Sequence, residues 1–227
     1  GITGSDYAAN DVINSVENGL GVKSQWRLRP LSSNELDYNL LSSDIVNGNG
    51  YFNFASSMYV VSSFKQSNGL AGDSERKYNY SGAVYNAQGR GFMGFKSIIE
   101  EDVNRALVKQ SDFEQVFPYQ GKLMRQATFT HADYFTRGDG LLGSAANESM
   151  ALSYSNTEWR DNDIHSITGV YSVYPRTTTQ VTRDLSTKAE LTRTNKNITA
   201  IDEYGNVTAA STQVADDWGT YSTSEVR

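Results

Sequence analysis

At 227 residues the chain allows one large domain or two small ones, and it carries no cysteine, which removes disulfides, thiol catalysis and thiolate metal sites together. A net charge of −6 with scattered lysines and arginines leaves no electrostatic footprint for nucleic acid or an anionic membrane, and no apolar run approaches the ~18 residues of a membrane span. Fourteen tyrosines, nine phenylalanines and three tryptophans in a chain only 38% hydrophobic suit a half-wet antiparallel sheet better than a buried parallel one.

Residues 1–20 mix Asn, Ser, Asp and Gly with few apolars and read as a flexible N-terminal segment. Trp26, Leu28 and Pro30 then alternate with Arg27 and Arg29, the two-residue period of a half-buried strand. Ser32 to Asp44 is polar with scattered leucines, a short strand or a loop. Asn47-Gly48-Asn49-Gly50 is a strong turn signal, because Asn and Gly tolerate positive φ. Tyr51 to Phe64 is aromatic and β-branched enough for one long strand or two short ones. A second turn falls at Asn68-Gly69 and Ala71-Gly72-Asp73, and Lys77 to Val84 alternates again, with Tyr78 and Tyr80 on one face.

The next stretch, Gly89-Arg90-Gly91-Phe92-Met93-Gly94-Phe95, organises the rest. Three glycines in six positions argue against a helix. They suit a strand where a backbone or ring packs close, or a bulge that needs positive φ. Phe92 and Phe95 lie three apart, so a bulge near Gly94 would return both to one side, where they would anchor the core. Residues 96–110 fit two shapes. Ile99, Val103, Ala106 and Leu107 trace a helical stripe, yet Asp102-Val103-Asn104-Arg105 also makes a hairpin tip between strands 95–101 and 106–116. Further on, Val116-Phe117-Pro118-Tyr119-Gln120-Gly121 puts a proline where no central ladder bond can form, so it belongs at a strand end or edge.

Leu123 to Phe129 alternates as a strand, and Arg137 to Ser144 is a glycine-rich loop. Met150, Leu152 and Tyr154 oppose Ala151 and Ser153 in another strand. Gly169 to Arg183 is rich in Val, Tyr and Thr, with Pro175 at a bend. Ala189 to Thr194 and Asn197 to Ala200 read as short strands, and Tyr204-Gly205-Asn206 turns into Val207 to Thr212. The sum is an all-β, antiparallel, hairpin-rich chain forming a curved sheet or sandwich. Its main β domain spans 21–196 and a further hairpin begins at 197–227.

Chemistry-bearing residues form no convincing constellation. His131 and His165 lack partners at zinc-ligand spacing. His131-Ala132-Asp133 would share a strand face but has no nucleophile context. The acid pairs Glu100-Glu101-Asp102, Asp161-Asn162-Asp163 and Asp216-Asp217 are neighbours on strands, and neighbours point to opposite faces rather than across a cleft. The oxygen-rich Asp161, Asp163 and Gly138-Asp139-Gly140 lack calcium-loop spacing. Gly89-Arg90-Gly91 lacks the ending of a phosphate loop. The expectation is therefore a chain that is no enzyme and needs no metal and no cofactor. Starting at Gly1 and stopping at Arg227 amid polar turn-like residues, it reads as a piece of a longer protein.

GRGFMGF followed by FPYQG resembles the segment ahead of the YD repeats in large bacterial Rhs/YD-repeat proteins. These include the B component of Tc insecticidal toxin complexes and proteins with a virulence-plasmid-B (SpvB) type N-terminus. Upstream, Gly19-Leu20-Gly21-Val22 leading into Trp26 to Leu31, Met58-Tyr59-Val60-Val61, and Lys77-Tyr78-Asn79-Tyr80 are similar to that family's strands in the same order. Downstream, Ile201-Asp202-Glu203-Tyr204-Gly205-Asn206-Val207-Thr208 resembles a degenerate YD repeat, with Ile201 where tyrosine is usual. The similarity covers roughly residues 19–121 and 197–212.

The resemblance implies a strand–turn–strand at 96–110. It also implies a structural motif made of Gly89, Arg90, Gly91, Phe92, Gly94, Phe95, Phe117, Pro118, Tyr119, Gly121, Tyr204, Gly205 and Asn206. By the same resemblance the chain would build part of a β-shell around a C-terminal toxin region of a secreted or cell-surface bacterial protein. Its partners would be the rest of its own parent chain, namely an upstream domain and the YD-repeat shell, and other toxin-complex subunits. The alternative is a surface-exposed sheet that binds glycans or another protein through its tyrosine-rich face.

Overall fold

The computed structural model describes residues 12–32, 50–54, 56–67, 72–136, 142, 145–161, 169 and 171–226. In chain order the strands are β1 (Ser15–Glu17), β2 (Lys23–Pro30), β3 (Tyr51–Asn53), β4 (Tyr59–Ser67), β5 (Asp73–Ser81), β6 (Val84–Asn86), β7 (Gly91–Phe92), β8 (Ser97–Asp102), β9 (Leu107–Phe113) and β10 (Leu123–Thr130). Two short helices follow, α1 (His131–Thr136) and α2 (Ala145–Met150), then β11 (Ser153–Arg160), β12 (Tyr174–Arg183), β13 (Glu190–Ile201), β14 (Val207–Asp216) and β15 (Gly219–Val226). Hydrogen-bonded neighbours form a 12-stranded sheet in the order β1-β2-β4-β5-β8-β9-β10-β11-β12-β13-β14-β15 and a 3-stranded sheet β3-β6-β7. The chain is all-β and antiparallel, as the alternation and turn spacing predict. It divides into two compact units, residues 1–108 and 109–227.

One local device recurs at six reversals. An Asp or Asn that ends the incoming strand, or follows it directly, accepts backbone N–H bonds through Oδ1. These are Asn18, Asn86, Asp102, Asp184, Asp202 and Asp216. Three or four residues later the chain passes through positive φ, at Gly21, Gly89, Ala106, Lys188, Gly205 and Gly219. Short acids and amides mimic a backbone turn, and the left-handed residue closes it into the returning strand.

In the first unit, Ser24, Trp26 and Leu28 of β2 are half-buried while Lys23, Gln25 and Arg27 face water. A register shift against β4 at Arg27/Leu28 then reverses the parity. Arg29, expected outside, is buried, and Leu31 is the most buried core residue of this strand's end. Leu31, Val60 and Ala83 form the core, with Phe54, Met58, Tyr80 and Phe95 packed on it. Tyr51, Val84 and Met93 form a second cluster. Part of the expected flexible N-terminal segment is a strand: Ser15–Glu17 pairs with Lys23–Gln25. Edge pairing uses backbone groups and needs no apolar side chain, so composition did not reveal it. Residues 1–11 and 33–49 lie outside the described residues, as do Asn68–Ala71.

Residues 96–110 form the hairpin arms rather than a helix. Asn104 decides this locally: its Oδ1 accepts Glu75 N–H at 2.7 Å and its Nδ2 donates to Asp73 O at 2.9 Å, docking the tip on β5. Val103 and Ala106, the middle of the helical stripe, are exposed there.

The second unit departs from the reading in three places. His131-Ala132-Asp133 is the first turn of α1, not a strand. Thr130 Oγ1 accepts Asp133 N–H at 3.1 Å and donates to Asp133 Oδ2 at 2.6 Å, an N-cap with the acid three residues on. Met150 ends α2, and β11 starts only at Ser153; Arg183 Nη1 donates to Glu148 O at 2.8 Å and secures that helix end. The two short strands expected at 189–200 are one 12-residue strand, β13. Ala127, Phe129, Leu142, Ala151 and Tyr154 form the core here, with Tyr134 and Met150 against it. Pro175, expected at a bend, faces Trp159 at a register shift near the start of β12. The glycine-rich loop 137–144, apart from Leu142, is outside the described residues.

Candidate functional site

The organising stretch Gly89–Phe95 closes the β6–β7 turn and leads toward β8. Gly91 and Gly94 both adopt positive φ, +74° and +88°, and a Cβ at either would meet nothing within 4 Å. The close approach offered as one reason for these glycines is thus replaced by a conformational one: the backbone needs the left-handed region. Phe92 and Phe95 do share a side, edge to face at 5.5 Å. Phe92 is 41% exposed, however, and Met93 is 4% exposed. The buried anchor of the motif is therefore the methionine that the motif reading passed over. Arg90 is exposed.

The rings continue on both sides. Tyr85, Phe54, Phe92, Phe95 and Tyr80 form a chain with centroid spacings of 6.2, 5.1, 5.5 and 4.7 Å. It runs from the 3-stranded sheet to β5. Tyr80 donates its hydroxyl to Val61 O at 2.9 Å, and burial, then the neighbouring Tyr78, pushes its pKa up to about 12. Beyond it, Trp26, Leu28, Val61, Phe64, Tyr78 and Tyr80 line an open depression of about 490 Å³ on one sheet face. Arg76, paired with Glu100 at 3.1 Å, adds charge to β5 and β8. This sheet face offers an open, mainly apolar concavity.

In the second unit two further motif groups converge. Phe117 meets Tyr171 edge to face at 4.8 Å. The loop around it is closed by Tyr119 N–H to Val116 O and Gly121 N–H to Glu114 O, both at 2.8 Å, with a cis Phe117-Pro118 bond beyond the end of β9. At the β13–β14 turn, Asp202 Oδ1 accepts Tyr204 and Asn206 N–H, and Asn206 Nδ2 donates to Asp202 Oδ2 at 2.8 Å. A Cβ on Gly205, at φ +87°, would lie 2.9 Å from Ser172 Cβ. Tyr171 and Ser172 are consecutive, so one segment touches both motif groups. Tyr204 itself is 78% exposed at the tip.

Three acids outside those pairs, Asp133, Asp184 and Asp202, take part in local structure. Asp133 pairs with Lys188 at 2.6 Å, which together with the Thr130 hydroxyl holds its carboxyl below the usual range. Hydrogen bonds from Thr187 and Ser186 lower Asp184, and bonds from Asn206, Tyr204 and Gly205 lower Asp202. The His131 ring lies tilted against Phe135, centroids 4.5 Å apart. Among the described residues no group of three or more His, Asp or Glu could hold a metal. Asp163, His165 and Gly138–Gly140 lie outside the described residues.

No family model matches the sequence, and no curated protein does. Solved structures do resemble the fold. The Photorhabdus luminescens Tc holotoxin pore matches over 89% of this chain and 12% of its own, with TM-score 0.62 and 8% identity. TcdB2-TccC3 without its hypervariable C-terminal region matches over 88% and 12%, with TM-score 0.58 and 8% identity. At that identity the likeness is one of fold, that of an antiparallel segment in Tc toxin components. The chain spans 12% of the length of these structures.

Proposed function

We propose that the chain is a non-catalytic structural segment of a secreted bacterial toxin-complex-type protein, forming part of the β-shell that encloses a C-terminal toxin region. The observation that carries this reading is the fold likeness to Tc components over 88–89% of the chain. The motif order Gly89–Phe95, Phe117–Gly121, Tyr204–Asn206 supports it, since turns and ring contacts account for those residues without a ligand. The open reading frame around the chain tests it. Many YD repeats followed by a variable C-terminal region are expected; a frame that runs instead into an unrelated catalytic domain would overturn the reading.

A second reading, a binding module, is favoured by the depression lined by Trp26, Phe64, Tyr78 and Tyr80, because aromatic faces stack sugars. A glycan array decides it: selective binding lost in Trp26→Ala favours the module, and no binding favours the scaffold.

A further inference from the structure

The outer face of the three-stranded sheet carries a row of rings. Its register sets Phe52 opposite Tyr85 and Tyr85 opposite Phe92, one aromatic from each of β3, β6 and β7. Alternation sends Tyr51, Val84 and Met93 to the other face, where they form a buried cluster. Phe52, Tyr85 and Phe92 stay 55%, 42% and 41% exposed. Phe54, two residues beyond Phe52, lies against Tyr85 with centroids 6.2 Å apart and against Phe92 at 5.1 Å. These contacts fix the rings without covering them, so little side-chain freedom is left to lose on binding.

We infer that Phe52, Tyr85 and Phe92 form a stacking platform for a neutral polysaccharide chain, separate from the depression lined by Trp26. Area, charge and chemistry select this occupant. Three half-exposed rings offer ~300 Å² of surface, well below the ~800 Å² that each partner gives to a stable protein interface. That area is too small for a second copy or a protein held by this face, and it suits a narrow ligand. Within residues 50–54 and 82–95 the one charged side chain is Arg90, so the platform offers no charge cluster to an ionic polymer. Neighbouring strands lie ~4.8 Å apart, so the row extends ~10 Å across the sheet, room for a short run of linked sugar rings. Gln88 and Arg90 are exposed on the β6–β7 turn beside it. Rings take the C–H face of a sugar, and the amide and guanidinium bond its hydroxyls.

Affinity electrophoresis of the chain in gels containing hydroxyethyl cellulose, glucomannan or xylan tests this, with pectate as the acidic control. Retardation by at least one neutral polymer and none by pectate is expected. Phe52→Thr and Tyr85→Thr sit at exposed strand positions and keep β propensity, so each should keep the parent's circular dichroism while weakening binding about tenfold. Phe52→Tyr and Tyr85→Phe keep the rings and should bind like the parent, as should Trp26→Ala. Hydroxyl-radical footprinting of the unmutated chain needs no variant: the retarding polymer should lower labelling at Phe52, Tyr85 and Phe92. No retardation by any neutral polymer, or retardation by pectate as strong, overturns the proposal. Binding lost in Trp26→Ala and kept in both threonine variants would move the glycan to the depression; that sinks the platform while leaving the binding-module reading standing. If the parent self-associates in sedimentation and Tyr85→Thr abolishes it, a second copy is the occupant and the inference falls.

Discussion

The first unit and the last four strands hold antiparallel sheet in place by different means. In the first unit a chain of five rings and two apolar clusters back the strands. From Tyr174 to Val226 only Val181 and Ile198 are buried among the apolar residues. What orders those strands is the ladder itself, hydroxyl and amide pairs such as Thr179–Asn195 at 2.9 Å and Thr182–Thr192 at 2.6 Å, and the Asp-capped turns. A sheet wet on both faces gains little from area burial and leans on backbone bonds, each worth only about 1 kcal/mol net. The largest mutational effects should therefore separate buried from exposed side chains within each region. Met93→Ala is expected to cost ~2–4 kcal/mol and Phe92→Ala under ~1 kcal/mol in denaturant melts. Ile198→Ala should fall in the same range as Met93→Ala, while Trp218→Ala, 88% exposed, should be close to neutral. Equal losses at Met93 and Phe92 would break the distinction.

Two of the positive-φ glycines, Gly94 and Gly205, sharpen it further. Gly94→Ala meets open space and carries backbone strain alone, about 1 kcal/mol. Gly205→Ala adds a contact with Ser172 Cβ, so ~2–3 kcal/mol is expected. Ser172→Gly should recover part of the Gly205→Ala loss and none of the Gly94→Ala loss; a cycle showing no coupling would remove Ser172 from the account.

The same contrast explains what the sequence displayed. β2 and β5 carry half-buried apolar and aromatic residues at alternate positions, so the period is visible at Trp26, Leu28, Tyr78 and Tyr80. The sequence shows β13 as two fragments because Thr192-Arg193-Thr194-Asn195-Lys196-Asn197 is polar on both faces, and a stretch with no buried side has no hydrophobic period. The helical stripe at Ile99, Val103 and Ala106 was a coincidence of residue types; Asn104 outweighs it through two bonds to β5 that no local window contains. The α1 start was legible as Thr130-x-x-Asp133, a capping pattern masked by the strand preceding it. In the motif stretch, glycine positions were readable but the packing role of Met93 was not, because which of two neighbours points inward depends on the backbone turning at Gly91 and Gly94.

Acid separates the turns. The folded carboxyls of Asp184 and Asp202 are lowered, so what they contribute is present above the unfolded carboxylate value near 4 and disappears as pH falls through their folded values. Two of the first unit's caps are Asn18 and Asn86, which do not titrate. Asp184→Asn keeps cap geometry, because every side-chain bond to Asp184 ends on Oδ1. It should leave the melting temperature at pH 7 nearly unchanged and flatten its fall between pH ~5 and ~2. A fall as steep as the parent's would mean that other carboxylates dominate. Tyr80 works at the opposite end: its raised pKa stabilises below the unfolded value near 10 and is lost as pH climbs through about 12.

The smallest effect concerns the two turns closed by residues other than glycine. Ala106 sits at φ +52° and Lys188 at φ +60°. Left-handed backbone costs a non-glycine residue about 1 kcal/mol, while glycine loses more entropy on folding, so Ala106→Gly should stabilise by only ~0.5 kcal/mol. Lys188→Gly relieves the same strain but removes the 2.6 Å bond to Asp133. Both side chains of that pair are about one-quarter exposed, so its loss should cancel most of the relief near pH 7. The sign of the comparison then depends on pH. Asp133 is held low by Lys188 and Thr130, so its share of stability survives above the unfolded carboxylate value and is lost as pH falls through the folded one. Below that point the lysine no longer has a carboxylate to serve, and only the strain remains. Relative to the parent, Lys188→Gly should therefore be neutral or slightly destabilising at pH 7 and stabilising by a few tenths of a kcal/mol near pH 2, whereas Ala106→Gly should keep one sign throughout. Paired melts of both variants at the two pH values read this directly; a Lys188→Gly difference that does not move with pH would mean the ion pair contributes nothing to the turn.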